Sequence, residues 1–321
     1  MKTSLFLSVL VAASVNAADA PKPVAYLTEA EARAAGPDFD LQGEYADAGF
    51  GAQMIALGHG KFRLVLHAGG LPGAGWDQSA KTEAEGALDG SKAVFKGGAG
   101  KPSAEVAGGL LMGDDGRGAR FKLFKVFRQS PSLGAKPPAG AQILFDGSNA
   151  DAWQDGKMDG RKLLHCGTKS RELLKSGTLH VEFLLPFKPL GRGQDRGNSG
   201  VYLQDRYEVQ VLDSFGLKGE HNECGGIYFK HRPVLNMCLP PLVWQTYDIE
   251  FTEAQFDVAG MKTHDATFTV KHNGVLIHDH APVNSATTAA GLKEGPAPGP
   301  VRLQDHGNPV FYRNIWWVPK N

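Results

Sequence analysis

The sequence is poor in cysteine and has no excess of either charge. Its 321 residues include three cysteines, and 34 basic residues balance 34 acidic ones. No CxxC or Cys/His spacing indicates a zinc site. A chain with zero net charge and no basic stripe also argues against nucleic acid or an anionic membrane as its main partner.

Long apolar runs are missing after the first twenty residues. A membrane helix needs roughly twenty apolar residues, and no later stretch has them. Residues 1–20 are typical of a Sec signal peptide, with Lys2 as the positive start, an apolar stretch at 5–13 and small residues at 15–17 for cleavage. No cysteine follows the cleavage region, which argues against a lipoprotein. We therefore expect a secreted or periplasmic protein without a transmembrane segment.

The three cysteines allow three different pairings in an oxidising compartment. Cys224 and Cys238 are the disulfide candidate, because both lie in one Pro- and Gly-rich excursion that a bridge would hold together. Cys166 would then remain unpaired. The alternative is three buried thiols, since free cysteine behaves as a small hydrophobic residue.

Helical periodicity is also scarce, and residues 29–35 are the only convincing helical run near the start. The 41 glycines and 19 prolines suit short strands joined by tight turns. Residues 25–130 therefore predict a small all-β domain with one apolar face. Its expected strands are 42–45, 53–57, 62–66, 93–95, 104–106 and 121–127. The Pro- and Gly-rich residues 131–140 predict a linker to a second domain.

Residues 141–321 predict a two-sheet sandwich, because strand patterns recur there without any long helical run. After a first strand in 143–153, the expected strands are 179–185, 244–251, 266–272, 275–277, 301–304 and 311–318. Asn273-Gly274 between two of them predicts a hairpin with a type I′ turn.

The stretch 197–213 carries the clearest alternation. It runs from a turn through one strand, turns again at 205–206, and continues into a strand in which Glu208 and Gln210 alternate with apolar residues. Successive strand residues point to opposite faces. One face should pack on a core, while the other presents a carboxylate and an amide suited to sugar hydroxyls or proton transfer. The alternative is an ordinary solvated sheet face.

Several motifs of the second domain occur together in a recognisable order. They are LFDGSNADAW at 144–153, HVEF at 180–183, GNSGVYLQDRYEVQVLDS at 197–214, WQTYDIEF at 244–251, VKHNGVLIH at 270–278 and GPVRLQDHGNPVFYRNIWW at 299–317. Over about residues 141–319 the chain thus resembles the 3-keto-disaccharide hydrolase family. The resemblance implies a concanavalin A-like jelly roll whose concave face holds the ligand. Residues 21–140 lie outside it.

The resemblance also implies a reaction, the cleavage of glycosides oxidised to a ketone at sugar carbon 3. The ketone makes the C2 proton acidic, so a base can remove it and the C1 substituent can leave, after which water adds back. Such chemistry needs a base near C2, an acid near the departing oxygen and a donor for the enolate. An upstream sugar 3-oxidoreductase would have to supply the substrate.

Three residues are candidates for this acid–base chemistry. Glu208 matches the glutamate of the family's YEVQ-type strand. Glu182 is a plausible second carboxylate, because two carboxylates facing one sugar can have their pKa values pushed apart. His306, in the LQDHG motif, would serve as acid/base or as donor to the enolate oxygen; a structural role is its alternative.

Six further residues are candidates for substrate binding, against turn formation or ordinary solvation. They are Gln210, Asn198, Arg206, Gln304, His221 and Glu223. His278 and His280 could bind a divalent metal on paper, since two histidines on one strand face can do so. The stretch follows a hairpin and is expected to be exposed, so no cofactor is predicted. The alternatives to an enzyme are a non-catalytic glycan-binding module and a surface scaffold attached through residues 25–130.

Overall fold

The computed structural model describes residues 23–320. The predicted signal peptide at 1–20 therefore lies outside the described residues. Two short helices come first, α1 (Glu29–Ala34) and α2 (Asp38–Leu41). Thr28 caps α1 through a capping box, in which its hydroxyl accepts from the backbone N–H of Glu31 and the Glu31 carboxylate accepts from the Thr28 N–H. None of the helices described in 23–320 is long and apolar enough to cross a membrane.

Eight antiparallel strands follow and close into a barrel, because β1 pairs with β8 as well as with β2. They are β1 (Gly43–Asp47), β2 (Gly49–Gly58), β3 (Lys61–Gly69), β4 (Thr82–Asp89), β5 (Lys92–Phe95), β6 (Ser103–Ala107), β7 (Leu110–Asp114) and β8 (Arg120–Val126). Buried side chains such as Tyr45, Phe62 and Phe95 form its core. The sequence had no strand prediction for β4 or β7. In β4 the buried position is only Ala84, between exposed Glu83 and Glu85, so the hydrophobic alternation is weak.

The remaining strands form a sandwich of two main sheets, which confirms the predicted all-β class. The five-stranded sheet has the order β10 (Trp153–Gln154), β12 (Thr168–Leu174), β21 (Gly299–Leu303), β14 (Ser199–Leu203), β15 (Tyr207–Val211). The seven-stranded sheet has the order β11 (Leu164–His165), β22 (Phe311–Pro319), β13 (Gly177–Leu184), β16 (Trp244–Thr252), β19 (Ala266–His272), β20 (Val275–Val283), with β9 (Gln142–Phe145) also paired to β22. A small hairpin joins β17 (Gln255–Phe256) and β18 (Lys262–His264).

The hairpin between β19 and β20 turns at Asn273-Gly274, as the sequence predicts. His272 pairs with Val275 across it. Both turn residues have positive φ, 50° for Asn273 and 79° for Gly274. Two left-handed residues in succession are what a type I′ turn requires.

The core of the sandwich lies between the two sheets. The strand residues that pack in it determine which side chains lie on the outer faces. Tyr207, Val209 and Val211 of β15 pack there with Leu179, Val181 and Phe183 of β13. Because side chains alternate along a strand, Glu208 and Gln210 lie on the outer face of the five-stranded sheet. By the same rule, His180 and Glu182 lie on the outer face of the seven-stranded sheet.

A segment of the predicted linker is bound to that second outer face. We call residues 130–135 the strap. The Ser130 and Thr246 hydroxyls are 2.6 Å apart, and the Ser132 hydroxyl donates to Asp248 at 2.7 Å. The backbone N–H of Gly134 donates to Glu182 at 2.5 Å. The strap therefore covers the middle of the seven-stranded sheet.

The barrel packs directly against loops of the sandwich. The buried guanidinium of Arg196 donates to the Ala56 carbonyl of the barrel at 3.2 Å and to Asp213 of the sandwich at 2.7 Å. Ile55 of the barrel joins the sandwich core, and Phe187 of the sandwich joins the barrel core. Each unit thus completes part of the other's apolar packing.

The predicted Cys224–Cys238 disulfide is wrong, because all three cysteines are free thiols. Cys224 and Cys238 are buried as small side chains of the sandwich core, as in the buried-thiol alternative. The Cys224 thiol lies 3.1 Å from the Tyr247 hydroxyl. Cys166 is partly exposed and so does not fit that alternative.

Candidate active site

Glu208 is the centre of the candidate site. Its side chain is buried, 2% exposed, and its Oε2 accepts a 2.7 Å hydrogen bond from the hydroxyl of Tyr202. Tyr202 lies directly opposite on β14. Burial raises the pKa of Glu208 to about 7, although the Tyr202 hydrogen bond and the charge of Arg302 act the other way. A carboxyl group with a pKa near neutrality can both take and give a proton there.

The hydroxyl of Tyr202 has two acceptors for one proton. Besides Glu208, the backbone carbonyl of Thr288 lies 3.1 Å away, and the amide of Gln304 donates to the same hydroxyl at 3.1 Å. Tyr202 can donate to Glu208 when the carboxylate is ionised. When Glu208 is protonated, its O–H can donate to the Tyr202 oxygen while Tyr202 donates to the Thr288 carbonyl. The tyrosine can therefore hold the carboxyl group in place in both states.

Arg302 supplies positive charge next to this pair without bonding to Glu208. It lies opposite Tyr202 on β21, and its guanidinium carbon is 3.7 Å from the centre of the tyrosine ring, a cation–π contact. The guanidinium also donates to the Ala289 carbonyl at 2.6 Å and forms an ion pair with Asp205 at 3.0 Å. These contacts fix the orientation of Arg302 against Tyr202.

Side-chain amides surround the carboxyl group. Gln194 Oε1 accepts from Gln210 at 2.9 Å and from Asn198 at 3.1 Å, so the three amides form one network. Within residues 23–320, the side-chain oxygens of Asn198 and Gln304 are buried without a hydrogen-bond partner. A buried acceptor without a donor is uncommon. The hydroxyl groups of a sugar could supply the missing donors.

Gly200 makes room for the carboxyl group. A Cβ at this position would collide with Glu208 Oε1 and lie 3.1 Å from Gln304 Oε1. Any larger residue would thus displace Glu208 from its place beside Gln304. The GNSG turn of the sequence therefore has a packing role at the site.

The excursion after β15 returns to form one edge of the site. Ile227 pairs with Val209, and the N–H of Tyr228 donates to the Glu208 carbonyl at 3.1 Å. Because Ile227 points into the core, Tyr228 lies on the same face as Glu208. The Asn222 carbonyl accepts from Gln194 at 2.9 Å and closes this edge.

Residues 140–318 match the family model of the 3-keto-alpha-glucoside-1,2-lyase-like domain. The chain belongs to this family. A predicted glycosyl hydrolase from Parabacteroides distasonis ATCC 8503 is similar over 57% of this chain and 85% of its own length, with 31% sequence identity and a TM-score of 0.52. A second structure with the same description and organism is similar over 57% of this chain and 95% of its own length, with 14% sequence identity and a TM-score of 0.42. No curated protein matches the chain.

Membership of the 3-keto-alpha-glucoside-1,2-lyase-like family supports a glycosidase-like enzyme with a carbohydrate substrate. Within the matched domain the structure brings together four of the candidate residues, Glu208, Gln210, Asn198 and Gln304. The alternative of a solvated sheet face is wrong, because Glu208 is 2% exposed and Gln210 only 1%. Loops cover this face, which alternation alone does not reveal.

Glu182 does not belong to this site. It lies on the outer face of the seven-stranded sheet, where it accepts from Arg313 at 2.7 Å, from Asn314 at 2.9 Å and from the strap. Burial opposes its ionisation, but these hydrogen bonds and one from His180 outweigh it and lower the pKa of Glu182 to about 2. The candidate role of Glu182 as a second carboxylate beside Glu208 is therefore wrong, because the sandwich core separates the two residues.

His180, Asp248 and Trp316 complete this second cluster. The His180 ring lies 2.6 Å from Asp248 and stacks on Trp316 with ring centres 4.8 Å apart. Burial acts against protonation of His180, but hydrogen bonds to Asp248 and Glu182 raise its pKa. The contacts of the cluster with the strap indicate that it holds the linker in place.

Two other candidates lie apart from the amide network. His306 is exposed in the loop after β21, and its ring makes no hydrogen bond to residues 23–320. Arg206 is buried, and its guanidinium donates to the carbonyls of Lys293 and Ala297 and to Gln204. Its donors hold a loop in place, which contradicts the expected contact with sugar hydroxyls.

His221 and Glu223 lie on the edge segment of the site. The Glu223 carboxylate accepts from the N–H groups of Gly219 and Glu220 and so closes a turn. The ring of His221 packs against Phe229. Of the two residues, only His221 keeps a buried polar atom without a hydrogen-bond partner among the described residues, its Nδ1.

The histidines considered for a metal have different surroundings. His278 is buried, its Nε2 lies 2.7 Å from the Gly225 carbonyl, and burial lowers its pKa to about 4. His280 is exposed and pairs with Asp279 at 2.6 Å. Across residues 23–320 there is no group of three or more His, Cys, Asp or Glu side chains placed to hold a metal ion. The two histidines therefore do not form a shared site.

Sequence reasoning missed Tyr202, Arg302, Gln194 and Tyr228. A turn at 205–206 would place residue 203 opposite Glu208. The turn instead spans 204–206, since Leu203 pairs with Tyr207, and Tyr202 becomes the neighbour of Glu208. Gln204 and Asp205 both have positive φ, and a polar three-residue turn was the signal that could have given the right register.

Proposed function

We propose that the protein cleaves 3-keto-glycosides by elimination, with Glu208 as the base. The ionised carboxyl group takes the proton from C2. The electron pair of the C2–H bond then forms a C1–C2 double bond as the C1–O bond breaks. The departing oxygen takes up a proton, and water later adds across the double bond. The observation that carries the proposal is a buried carboxyl group with a pKa of about 7 on a face lined by amides.

The neighbouring groups have roles that follow from their contacts. Tyr202 positions the carboxyl group, and Arg302 favours its ionised form. The unpartnered side-chain oxygens of Asn198 and Gln304 accept hydrogen bonds from sugar hydroxyls. Once protonated, Glu208 can return its proton to the departing oxygen, so one residue serves as base and then as acid.

The decisive experiment compares turnover of a 3-keto-glucoside with a chromogenic leaving group by the wild type and by Glu208→Gln. The variant keeps the size of the side chain and an acceptor for Tyr202 but removes the charge that a base needs. Turnover should fall by about a hundredfold or more, the usual contribution of general acid–base catalysis. Glu182→Gln is the matched control, because it makes the same change on the opposite outer face and should leave turnover intact. Equal release by the wild type and Glu208→Gln would contradict the proposed base, and His306→Ala would then be tested.

The unpartnered acceptors would also serve a glycan-binding module without catalysis. The same experiment separates the two functions. If the wild type releases no product but binds the unoxidised sugar in calorimetry, the protein is a binding module.

Export is a further part of the proposal, supported by the signal-peptide pattern of residues 1–20. The mature chain should begin between Ala18, directly after the small residues at 15–17, and Pro21, directly after residues 1–20. Mass spectrometry of the protein from periplasm and medium checks this, and a full-length chain confined to the cytoplasm would contradict it. An upstream enzyme that oxidises the C3 hydroxyl of a glycoside must supply the substrate.

A further inference from the structure

Three aromatic rings form a cluster at the edge of the Glu208 site. The ring centre of Phe229 is 4.7 Å from that of Tyr228 and 4.7 Å from that of His221. Phe229, the middle ring, is 55% exposed. The cluster therefore presents an aromatic surface to solvent beside a buried carboxyl group.

Both ends of the cluster are tied to the site. Tyr228 shares the outer face with Glu208, and burial together with the charge of Glu208 raises the pKa of Tyr228. At the other end, the residue after His221 is Asn222, whose carbonyl accepts from Gln194 and lies 3.5 Å from the amide of Gln210. The three rings thus run along the edge that joins the carboxyl group to the amide network.

The backbone at Phe229 is in an unfavourable conformation. Its φ of 56° is left-handed, which is rare for a bulky residue. Such conformations are costly and cluster at active sites and ligand-binding sites. The ring of this residue is also exposed, although burial of a large apolar ring would be favourable.

His221 provides a second, independent sign of a ligand. Its Nδ1 is buried and has no hydrogen-bond partner within residues 23–320. A ligand hydroxyl would satisfy this nitrogen, since a hydroxyl can donate or accept according to the tautomer of the ring. The cluster therefore combines an apolar ring surface with one polar group, a combination that suits a sugar ring.

We propose that Tyr228, Phe229 and His221 form the subsite for the ring of the leaving group. This inference rests on the proposed function, in which Glu208 removes the C2 proton and the C1 substituent leaves. C1 is bonded to C2, so the leaving group must lie next to Glu208, as the cluster does. The occupant is a six-membered ring with an apolar face, either a pyranose or an aromatic ring, packed on Phe229.

The test measures kcat/KM of the wild type and Phe229→Ala with three 3-keto-glucosides that release glucose, 4-nitrophenol or methanol. Loss of ring packing should lower kcat/KM by up to about tenfold for the ring-bearing leaving groups, given about 0.5–1.5 kcal/mol for an aromatic contact. The methyl glycoside should be almost unaffected. Phe229→Tyr, which keeps an aromatic ring at this position, should keep kcat/KM close to that of the wild type for all three substrates. Val234→Ala, which truncates another exposed apolar residue of the same excursion, is the matched control.

The outcomes separate the subsite from the reaction. Loss with glucose, with nitrophenol or with both supports the subsite and identifies the ring that it binds. Equal loss with all three substrates, or no loss with any, overturns the subsite while the reaction stands. No turnover of any substrate by the wild type would instead refute the proposed function. Unfolding temperatures of all variants show whether a loss reflects misfolding.

Discussion

Replacing Glu208 by glutamine should stabilise the protein at high pH while it lowers turnover by about a hundredfold or more. Burial raises the pKa of this carboxyl group from its ordinary 4.5 to about 7 in the folded protein. A difference of roughly 2.5 pKa units corresponds to about 3 kcal/mol, at 1.36 kcal/mol per unit. The ionised carboxylate therefore lowers the free energy of unfolding of the wild type by about that amount above pH 7.

The sign follows from proton binding. Between pH 4.5 and about 7, the folded chain holds the Glu208 proton and the unfolded chain does not. The free energy of unfolding of the wild type therefore falls as pH rises through this window. Glutamine does not titrate, and the other ionisable groups are common to both proteins. The difference between wild type and Glu208→Gln thus isolates this one carboxyl group.

Urea unfolding at pH 4.5 and pH 8.5 measures this difference. Tryptophan fluorescence reports mainly on the sandwich, because Trp153, Trp244, Trp316 and Trp317 lie there and only Trp76 lies outside it. From pH 4.5 to pH 8.5, the free energy of unfolding of the wild type should fall by about 3 kcal/mol relative to that of the variant. A difference that does not change with pH would refute the reasoning, since it would mean that the carboxyl group stays hydrated in the folded protein.

Three further predictions concern the rest of the molecule. The kcat/KM of the wild type on a 3-keto-glucoside should rise with pH through about 7, because the base must be ionised; a profile that is flat from pH 5 to 9 would contradict the role of Glu208. Glu182→Gln should lower the free energy of unfolding at pH 7 by about 3 kcal/mol, because the pKa of Glu182 falls from 4.5 to about 2 on folding, at 1.36 kcal/mol per unit. The loss for Glu182→Gln should shrink as pH falls from 4.5 towards 2, since the low pKa of Glu182 stabilises the fold only while the group is ionised. Urea unfolding at pH 4.5 and at pH 2 checks this. A loss that does not change with pH would speak against the bonds from His180 and Arg313 to Glu182. Alkylation of the unfolded, unreduced protein should modify three thiols by mass spectrometry, whereas a single modified thiol would show that a disulfide exists.

Local patterns predicted the features that depend on neighbouring residues. Alternation placed Glu208 on the other face of its strand from Tyr207 and Val209. Asn273-Gly274 marked a turn that requires two residues with positive φ. Both follow from the geometry of one strand or one hairpin. They required no knowledge of how the sheets pair.

Features that depend on distant pairing were not predictable in the same way. Glu182 and Glu208 each lie on a strand with a clear inner and outer face, but the sequence does not state that the strands belong to different sheets. That assignment depends on the pairing of β13 with β16 and β22, far along the chain. The loops that bury the Glu208 face are equally invisible to alternation, so a buried site looked like a solvated one.

The strap changes where the chain can be divided. Arg128 still belongs to the barrel, since its guanidinium forms an ion pair with Glu44 at 2.5 Å. Ser130 already belongs to the sandwich through Thr246. The joint between the two units is thus a single exposed residue, Gln129, well before the family match begins at residue 140. In evolutionary terms, a sandwich recombined at the family boundary would lose the cover of its outer sheet, whereas one recombined at Gln129 would bring that cover with it.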